Sequence, residues 1–348
     1  MGNPHPSLQI SRKFAGVWVL LGLCLGAFPA LAAERPTLDL VRGNKDLRCG
    51  VFPDDPGRSA ISPSGRWEGF YVDFCRAVAA ATLGNPDYVQ FVEVGAKTRF
   101  TSLAEGKVDV VMFSTTWTLG REAEFKVDFP AVYLFDGQGF MVRKQSGIRT
   151  LDDLRGKSVC VTANTTTQGN LETINAARDL RLRIILSNGD NFFRGACDAY
   201  TADRMNLATN RANRSDDPSR YTILPDIVSR EPIGPMVRDD DPEWSAIVRG
   251  VVHALILAEE LGVTAKTVET IRAGQSTGEV GNLLGMGPGN MLGHLRLDKD
   301  WAYRAIKAVG NYGEIYDRHF GPNTPIGMER GLNRPWSQGG VLYAPLFR

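Results

Sequence analysis

The same order of elements runs twice along this 348-residue chain, and that duplication sharply limits the folds open to it. In the first pass, 47–51 reads as a buried strand. Residues 72–83 read as a helix with Val72, Cys75 and Val78 on one face. An alternating strand follows at 88–94, a short amphipathic helix at 98–105 ends at Gly106, and 108–113 is another apolar strand. In the second pass, 158–162 is a strand, 166–177 a helix, 183–187 a strand and 198–201 a strand after a short turn. Strands that alternate with helices imply parallel sheets joined by right-handed crossovers. The chain is therefore expected to be α/β and two-lobed, each lobe a mixed sheet with flanking helices. Gly and Pro cluster near 136–141 and 229–235, where two crossover strands are expected. This gives a discontinuous first lobe of 33–137 with 235–348, and a second lobe of 138–234. Beyond 235 the pattern turns helical, with helices expected over 242–261 and 301–316. A Pro- and Gly-rich tail from Gly321 is expected to pack on the first lobe.

The first 32 residues stand apart. Arg12 and Lys13 precede an apolar run from Phe14 to Phe28, and Pro29 with Ala30-Leu31-Ala32 follows. A charged region, a short apolar region and a small-residue A-x-A site are the parts of a secretory signal, so 1–32 is expected to be a signal peptide cleaved after Ala32. The run is short of the ~20 apolar residues that a membrane span needs. Periplasmic localisation follows as an expectation. Of the 40 Lys and Arg, 38 remain beyond the signal against 39 Asp and Glu, a near-neutral balance that argues against nucleic acid as a partner. Four cysteines also remain: Cys49, Cys75, Cys160 and Cys197. An even number in an exported chain favours disulfides over buried thiols. Order alone allows three pairings. If each bridge stays within a lobe, the pairs are Cys49–Cys75 and Cys160–Cys197.

The residues offer little to an enzyme. His253, His294 and His319 lie far apart in sequence and match no metal-ligand spacing. The glycines from Gly285 to Gly289 follow no strand and are interrupted by Pro288, so they read as a loop rather than a phosphate cradle. No catalytic residue, metal or cofactor is expected. Polar residues do gather at the carboxyl ends of strands: Ser114, Thr115 and Thr116 with Arg121 behind them, Thr165 to Thr167 in the second unit, and Asp203 after its last strand. Ligands of open α/β sheets bind at that edge. A free amino acid needs a guanidinium, hydroxyls and helix-end N–H groups for its carboxylate. It also needs a carboxylate for its ammonium, because both charges lose water on enclosure. Arg121, Thr116 and Thr166 suit the first group and Asp203 the second.

At these residues the chain resembles the binding proteins of polar amino-acid ABC importers (solute-binding family 3), in particular the general L-amino-acid and glutamate/glutamine/aspartate/asparagine-binding branch. The resemblance is carried by GFYVDFCRAVAAA at 69–81, TTWT at 115–118 with Arg121, DGQGFMVRK at 136–144 and VCV at 159–161 with TTT at 165–167. CDAYTAD at 197–203, EPIGP at 231–235, EELGVT at 259–264, DWAYRAIKAVGNYGE at 300–314 and YAP at 343–345 extend it. It implies a type II periplasmic-binding-protein-like fold that closes on its ligand, a free L-amino acid; the preference for an acidic or amide side chain is an expectation that rests on Arg58. It further implies delivery to the importer's membrane subunits, with the binding protein acting as a monomer. By motif match, Arg121, Thr116 and Ser114 would hold the α-carboxylate, Thr166 would add a contact from the second lobe, and Asp203 would take the α-ammonium. The sequence departs from the branch at several places. Tyr71 stands where an acidic residue is usual, Phe113 where Arg is, Ser114 where Asn is and Arg58 where an aromatic residue is. Asn164 replaces Gly and Arg204 a neutral polar residue. Arg58 is expected to replace part of the charge missing at Phe113. The segment 187–197 is short, so its helix is expected to shrink to one turn. A sensory ligand-binding module, or a cleft enzyme such as a dehydratase, are the alternatives on the same fold.

Overall fold

The computed structural model describes residues 1–2, 36–274, 277–288 and 292–347. The signal expected over 1–32 lies, apart from Met1 and Gly2, outside them. No helix among the described residues is long and apolar enough to cross a membrane.

Two sheets organise the chain from Pro36 onward. In the first, Leu47–Val51 is central, with Val89–Glu93 and Val110–Val111 parallel on either side. An antiparallel bridge from Val111 to Met236 extends it, so this lobe is completed by chain that returns after the second lobe. The second sheet has five strands in the order Arg183–Leu186, Ser158–Val161, Ala199–Asp203, Gln138–Arg143, Tyr221–Ile223. Its first two pairings are parallel and its last two antiparallel. The chain passes between the sheets through Leu134–Asp136 and Glu231–Ile233, which pair antiparallel to each other. Gly137 follows the first of these; a Cβ there would come within 2.5 Å of Ile227 Cγ2 and 2.8 Å of the Ser229 carbonyl, so a side chain would push the crossovers apart.

The helix Phe70–Leu83 is buried on nearly every side, which its apolar and alanine-rich composition permits. It packs between Trp301–Val309 and Pro242–Glu260. Pro242–Glu260 starts where expected because the Asp241 carboxylate accepts the N–H of Trp244 at 2.9 Å. The helix expected over 301–316 is two helices, Trp301–Val309 and Tyr312–His319. Gly310 takes φ 87°, and Asn311 and Glu314 form a reciprocal capping box that begins the second one. Between 187 and 197 one short helix survives, Gly189–Phe193. The tail carries two 3-10 turns, Gly331–Asn333 and Trp336–Gln338, buries Ile326, Leu342 and Phe347 in the main core, and places the Asn333 amide on the first crossover strand, where it accepts the N–H of Phe135 at 2.7 Å and donates to its carbonyl at 3.0 Å.

Cys49 and Cys75 are bonded, tying the central strand to the helix beside it, with Cα atoms 6.1 Å apart. Cys160 and Cys197 are bonded across the second sheet, with Cα atoms 5.8 Å apart. The bridges close loops of 26 and 37 residues. The chain-entropy relation gives each about 3.5 kcal/mol of stability. Denaturant titration of the Cys49→Ser/Cys75→Ser and Cys160→Ser/Cys197→Ser variants should each show a loss of that order. Adding reductant to either variant should then cost only the remaining bridge.

Candidate functional site

A cavity of about 210 Å³ lies between the carboxyl edges of the two sheets. Its first-lobe wall comes from the segment around Asp54, Asp55 and Arg58, from Arg99, and from the stretch 113–121 after Val110–Val111. Its second-lobe wall comes from Thr162 and 165–167 after Ser158–Val161, from 188–190, and from Asp203 with the helix Arg204–Arg214. All six residues singled out from sequence, Arg58, Ser114, Thr116, Arg121, Thr166 and Asp203, line this one space. The lobes meet on both flanks of it. On one side the Thr116 and Thr166 hydroxyls are 3.4 Å apart, and Thr166 donates to Glu231 at 3.1 Å. On the other, Arg214 reaches the carboxylate of Asp54 at 2.9 Å, and the Asn213 amide donates to the Pro56 carbonyl at 3.0 Å.

Local backbone chemistry aims these groups. Thr118 caps the helix Leu119–Phe125 by accepting the N–H of Arg121, and Arg121 Nη1 folds back to the Thr116 carbonyl at 2.6 Å. Thr165 caps Thr166–Ala177 in the same way, and Asn164 before it adopts φ 61°, a conformation open to Asn as well as Gly. Asp203 ends its strand and stands at the N-terminal boundary of the next helix without a side-chain capping bond; its Oδ1 is shielded from solvent and has no hydrogen-bond partner.

Burial first, and then the nearby carboxylates of Asp136 and Glu231, raise the Asp203 carboxyl well above the usual range, while Arg58 and Arg121 pull it back. Asp136 is pushed up to about 6 by burial, against the N–H groups of Met205 and Gly137. Glu231 is 2% exposed and bonded to Thr166, Asn170 and Ser229.

Opposite these acids stands a residue that sequence reading missed as a functional group. Arg99 is 2% exposed, and its Nε has no partner. Its guanidinium lies 4.8 Å from the Phe100 ring centroid and 5.3 Å from that of Phe113, while Arg121 lies 5.7 Å from the same Phe100 ring. Two guanidiniums thus share one aromatic surface, and neither is ion-paired to a carboxylate within 4 Å among the described residues. Burial and the neighbouring Arg121 lower Arg99 to about 9. Arg121 is lowered by burial too, with Glu231 and Asp203 opposing. In sequence, Arg99 is one charge at the start of a short helix and carries no sign of its burial.

Arg58, expected to replace part of the charge missing at Phe113, carries a charge that is already matched. It is ion-paired with Asp55, and its Nη1 donates to Ser114 Oγ at 2.8 Å. Ser114 Oγ is in turn 2.7 Å from the Tyr71 hydroxyl. Uncompensated positive charge therefore sits at Arg99 and Arg121. No group of three or more His, Cys, Asp or Glu side chains suited to a metal ion occurs among the described residues.

Two lobes on a pair of crossover strands, with unpaired cations and an unpaired acid enclosed between them, define a protein that binds a small charged solute in the cleft. The chain belongs to the bacterial extracellular solute-binding proteins, family 3, whose family model matches residues 47–322. It is 43% identical over 334 residues to the glutamate/glutamine/aspartate/asparagine-binding protein BztA of Rhodobacter capsulatus, covering 94% of this chain and 97% of that one. It is 39% identical over 334 residues, with the same coverage, to the general L-amino acid-binding periplasmic protein AapJ of Rhizobium johnstonii. Among solved structures, a periplasmic binding protein from Brucella ovis with glutathione bound is 38% identical, with a TM-score of 0.87 over 90% of this chain and all of that one. These relatives are solute-binding proteins, and this chain is one as well, not an enzyme.

Proposed function

We infer that this protein is the periplasmic solute-binding component of an amino-acid ABC importer, taking one free L-amino acid between its lobes and delivering it to the membrane subunits. The observation that carries the reading is the pairing of unmet charges: the partnerless Asp203 Oδ1 opposite the unpaired Arg99 and Arg121. An α-ammonium satisfies the first and an α-carboxylate the second, so a zwitterion removes both desolvation penalties at once. Arg121, Arg99 and Thr116 hold the carboxylate, Thr166 closes from the second lobe, and Asp203 takes the ammonium. The moving bodies are 33–137 with 235–348 and 138–234, in a monomer exported by cleavage after Ala32. The ligand class is acidic or amide amino acids, as the name of BztA states for that relative.

Mass spectrometry of small molecules released on denaturing the purified protein tests this. Recovery of an amino acid from the parent, and none from Arg121→Ala or Asp203→Ala, is the expected result. A ligand retained by both variants would overturn the assigned contacts. The Brucella relative favours glutathione as a second reading, because its γ-glutamyl end carries the same α-carboxylate and α-ammonium. The cavity also continues past the inner charges to Asn188, Asp190, Asn210 and Arg214. The released mass separates the two.

A further inference from the structure

Arg58, Asp55, Ser114 and Tyr71 form one network on the first-lobe wall of the cavity. Arg58 is 4% exposed and lines the cavity. Its Nη2 pairs with Asp55 and its Nη1 donates to Ser114, whereas its Nε has no partner. From the second lobe, the Asn206 amide, turned with its oxygen toward Arg58, accepts at 3.0 and 3.1 Å. The guanidinium is thus touched from both lobes, with one N–H left over.

Its charge is already matched. Burial drives the Asp55 carboxyl up and Arg58 pulls it back down, while Asp55 keeps the guanidinium charged against the same burial. A ligand carboxylate at Nε would set two anions on one cation where water is scarce, and like charges in such a site strongly disfavour joint ionisation. A neutral carbonyl has no such conflict. Tyr71 and Ser114 share one hydrogen bond whose direction is free, so Ser114 offers the cavity either a proton or a lone pair. A carboxamide needs that combination: a donor for its C=O and an adaptable hydroxyl beside it.

We propose that the Arg58–Asp55–Ser114 cluster, positioned by Tyr71, is a charge-neutral side-chain subsite that selects a carboxamide over a carboxylate, making the preferred ligand an amide amino acid. This rests on the amino-acid-binding reading. The test is calorimetric titration of the ligand-stripped mature protein with L-glutamine, L-asparagine, L-glutamate and L-aspartate at pH 7.5. The better amide should bind about tenfold or more tightly than its matching acid, the size expected when a buried group meets the wrong charge. Asp55→Asn leaves the Arg58 charge unmatched and should shift the acid-to-amide ratio toward the acid by about tenfold. Equal or tighter binding of the acids by the parent overturns the subsite while leaving amino-acid binding intact. A ratio that does not move in a folded Asp55→Asn protein also overturns it. If none of the four binds, nor any other free amino acid, the functional reading falls and the subsite with it. Should Asp55→Asn fail to fold, the parent's own ranking still decides.

Discussion

Asp203→Asn should lose most of its ligand affinity and at the same time melt at a higher temperature than the parent when ligand-free. The two effects share one cause. Oδ1 of Asp203 is shielded and partnerless, and the nearest charges include two further acids, Asp136 and Glu231. An incoming ammonium relieves that arrangement, and removing the carboxylate strands the ammonium instead. Truncating one partner of a buried charge pair costs about 2–5 kcal/mol, or roughly 30- to 5,000-fold in Kd. Without ligand, the neutral amide removes an uncompensated charge, and each kcal/mol gained raises the melting midpoint by about 1–2 °C for a chain of this length. Calorimetric titration and thermal unfolding measure the two effects separately. A variant that loses affinity and stability together would point to a structural role for Asp203.

The sign of the pH effect follows. A carboxyl whose folded value lies above its unfolded one contributes stability that is full below the unfolded value and lost as pH rises through the folded one. Asp203 is raised, and Asp136 is raised to about 6. The stability gap between Asp203→Asn and the parent should therefore close toward pH 4 and widen as pH rises through the Asp203 range. Ligand affinity runs the other way. The ammonium requires the ionised carboxylate, so the parent should weaken as pH falls through the raised Asp203 range and release protons on binding. Titration in buffers of different ionisation heat detects that release, and Asp203→Asn should lack the Asp203 share.

The second large effect is Arg121→Ala, for which a loss of roughly 30- to 5,000-fold in affinity is expected on the same grounds. Arg121 and Arg99 face a common aromatic surface without an acid between them. Removing either cation relieves repulsion in the empty site. Arg99→Met should accordingly raise the melting midpoint of the ligand-free protein, yet weaken binding by about tenfold or more, the scale of a hydrogen bond to a charged group. If Arg99→Met binds as tightly as the parent, Arg121 holds the carboxylate alone.

Much of this was legible in the chain. Strand–helix alternation located both sheets, and the charged and hydroxyl residues after strand ends reached one cavity because parallel strands present their carboxyl ends on one side. What escaped reading depends on contacts between distant segments. In sequence Arg99 is an ordinary helical charge, and its burial comes from the Phe100 and Phe113 rings that flank its guanidinium. Glu231 was hidden within a crossover. The short strands at Asp54–Asp55, Ser59–Ile61 and Trp67–Glu68 gave too few residues for a period, so the Asp55–Arg58 pair that cancels the Arg58 charge went unseen. The break at Gly310 was readable from Asn311 and Glu314, but apolar spacing continues across it and suggested one helix.

The contact between Asn333 and the crossover strand has a consequence for association between molecules. A two-stranded ribbon leaves its outer edges open, and such an edge invites a strand from another chain, while joints between lobes are where segments exchange between copies. Asn333 fills both the donor and the acceptor of Phe135 on that edge with a side-chain amide. The tail thereby acts as a blank in place of a third strand, denying the joint a template for polymerisation. Asn333→Ala should leave that edge free, and the altered chain should form dimers or larger species on heating sooner than the parent does.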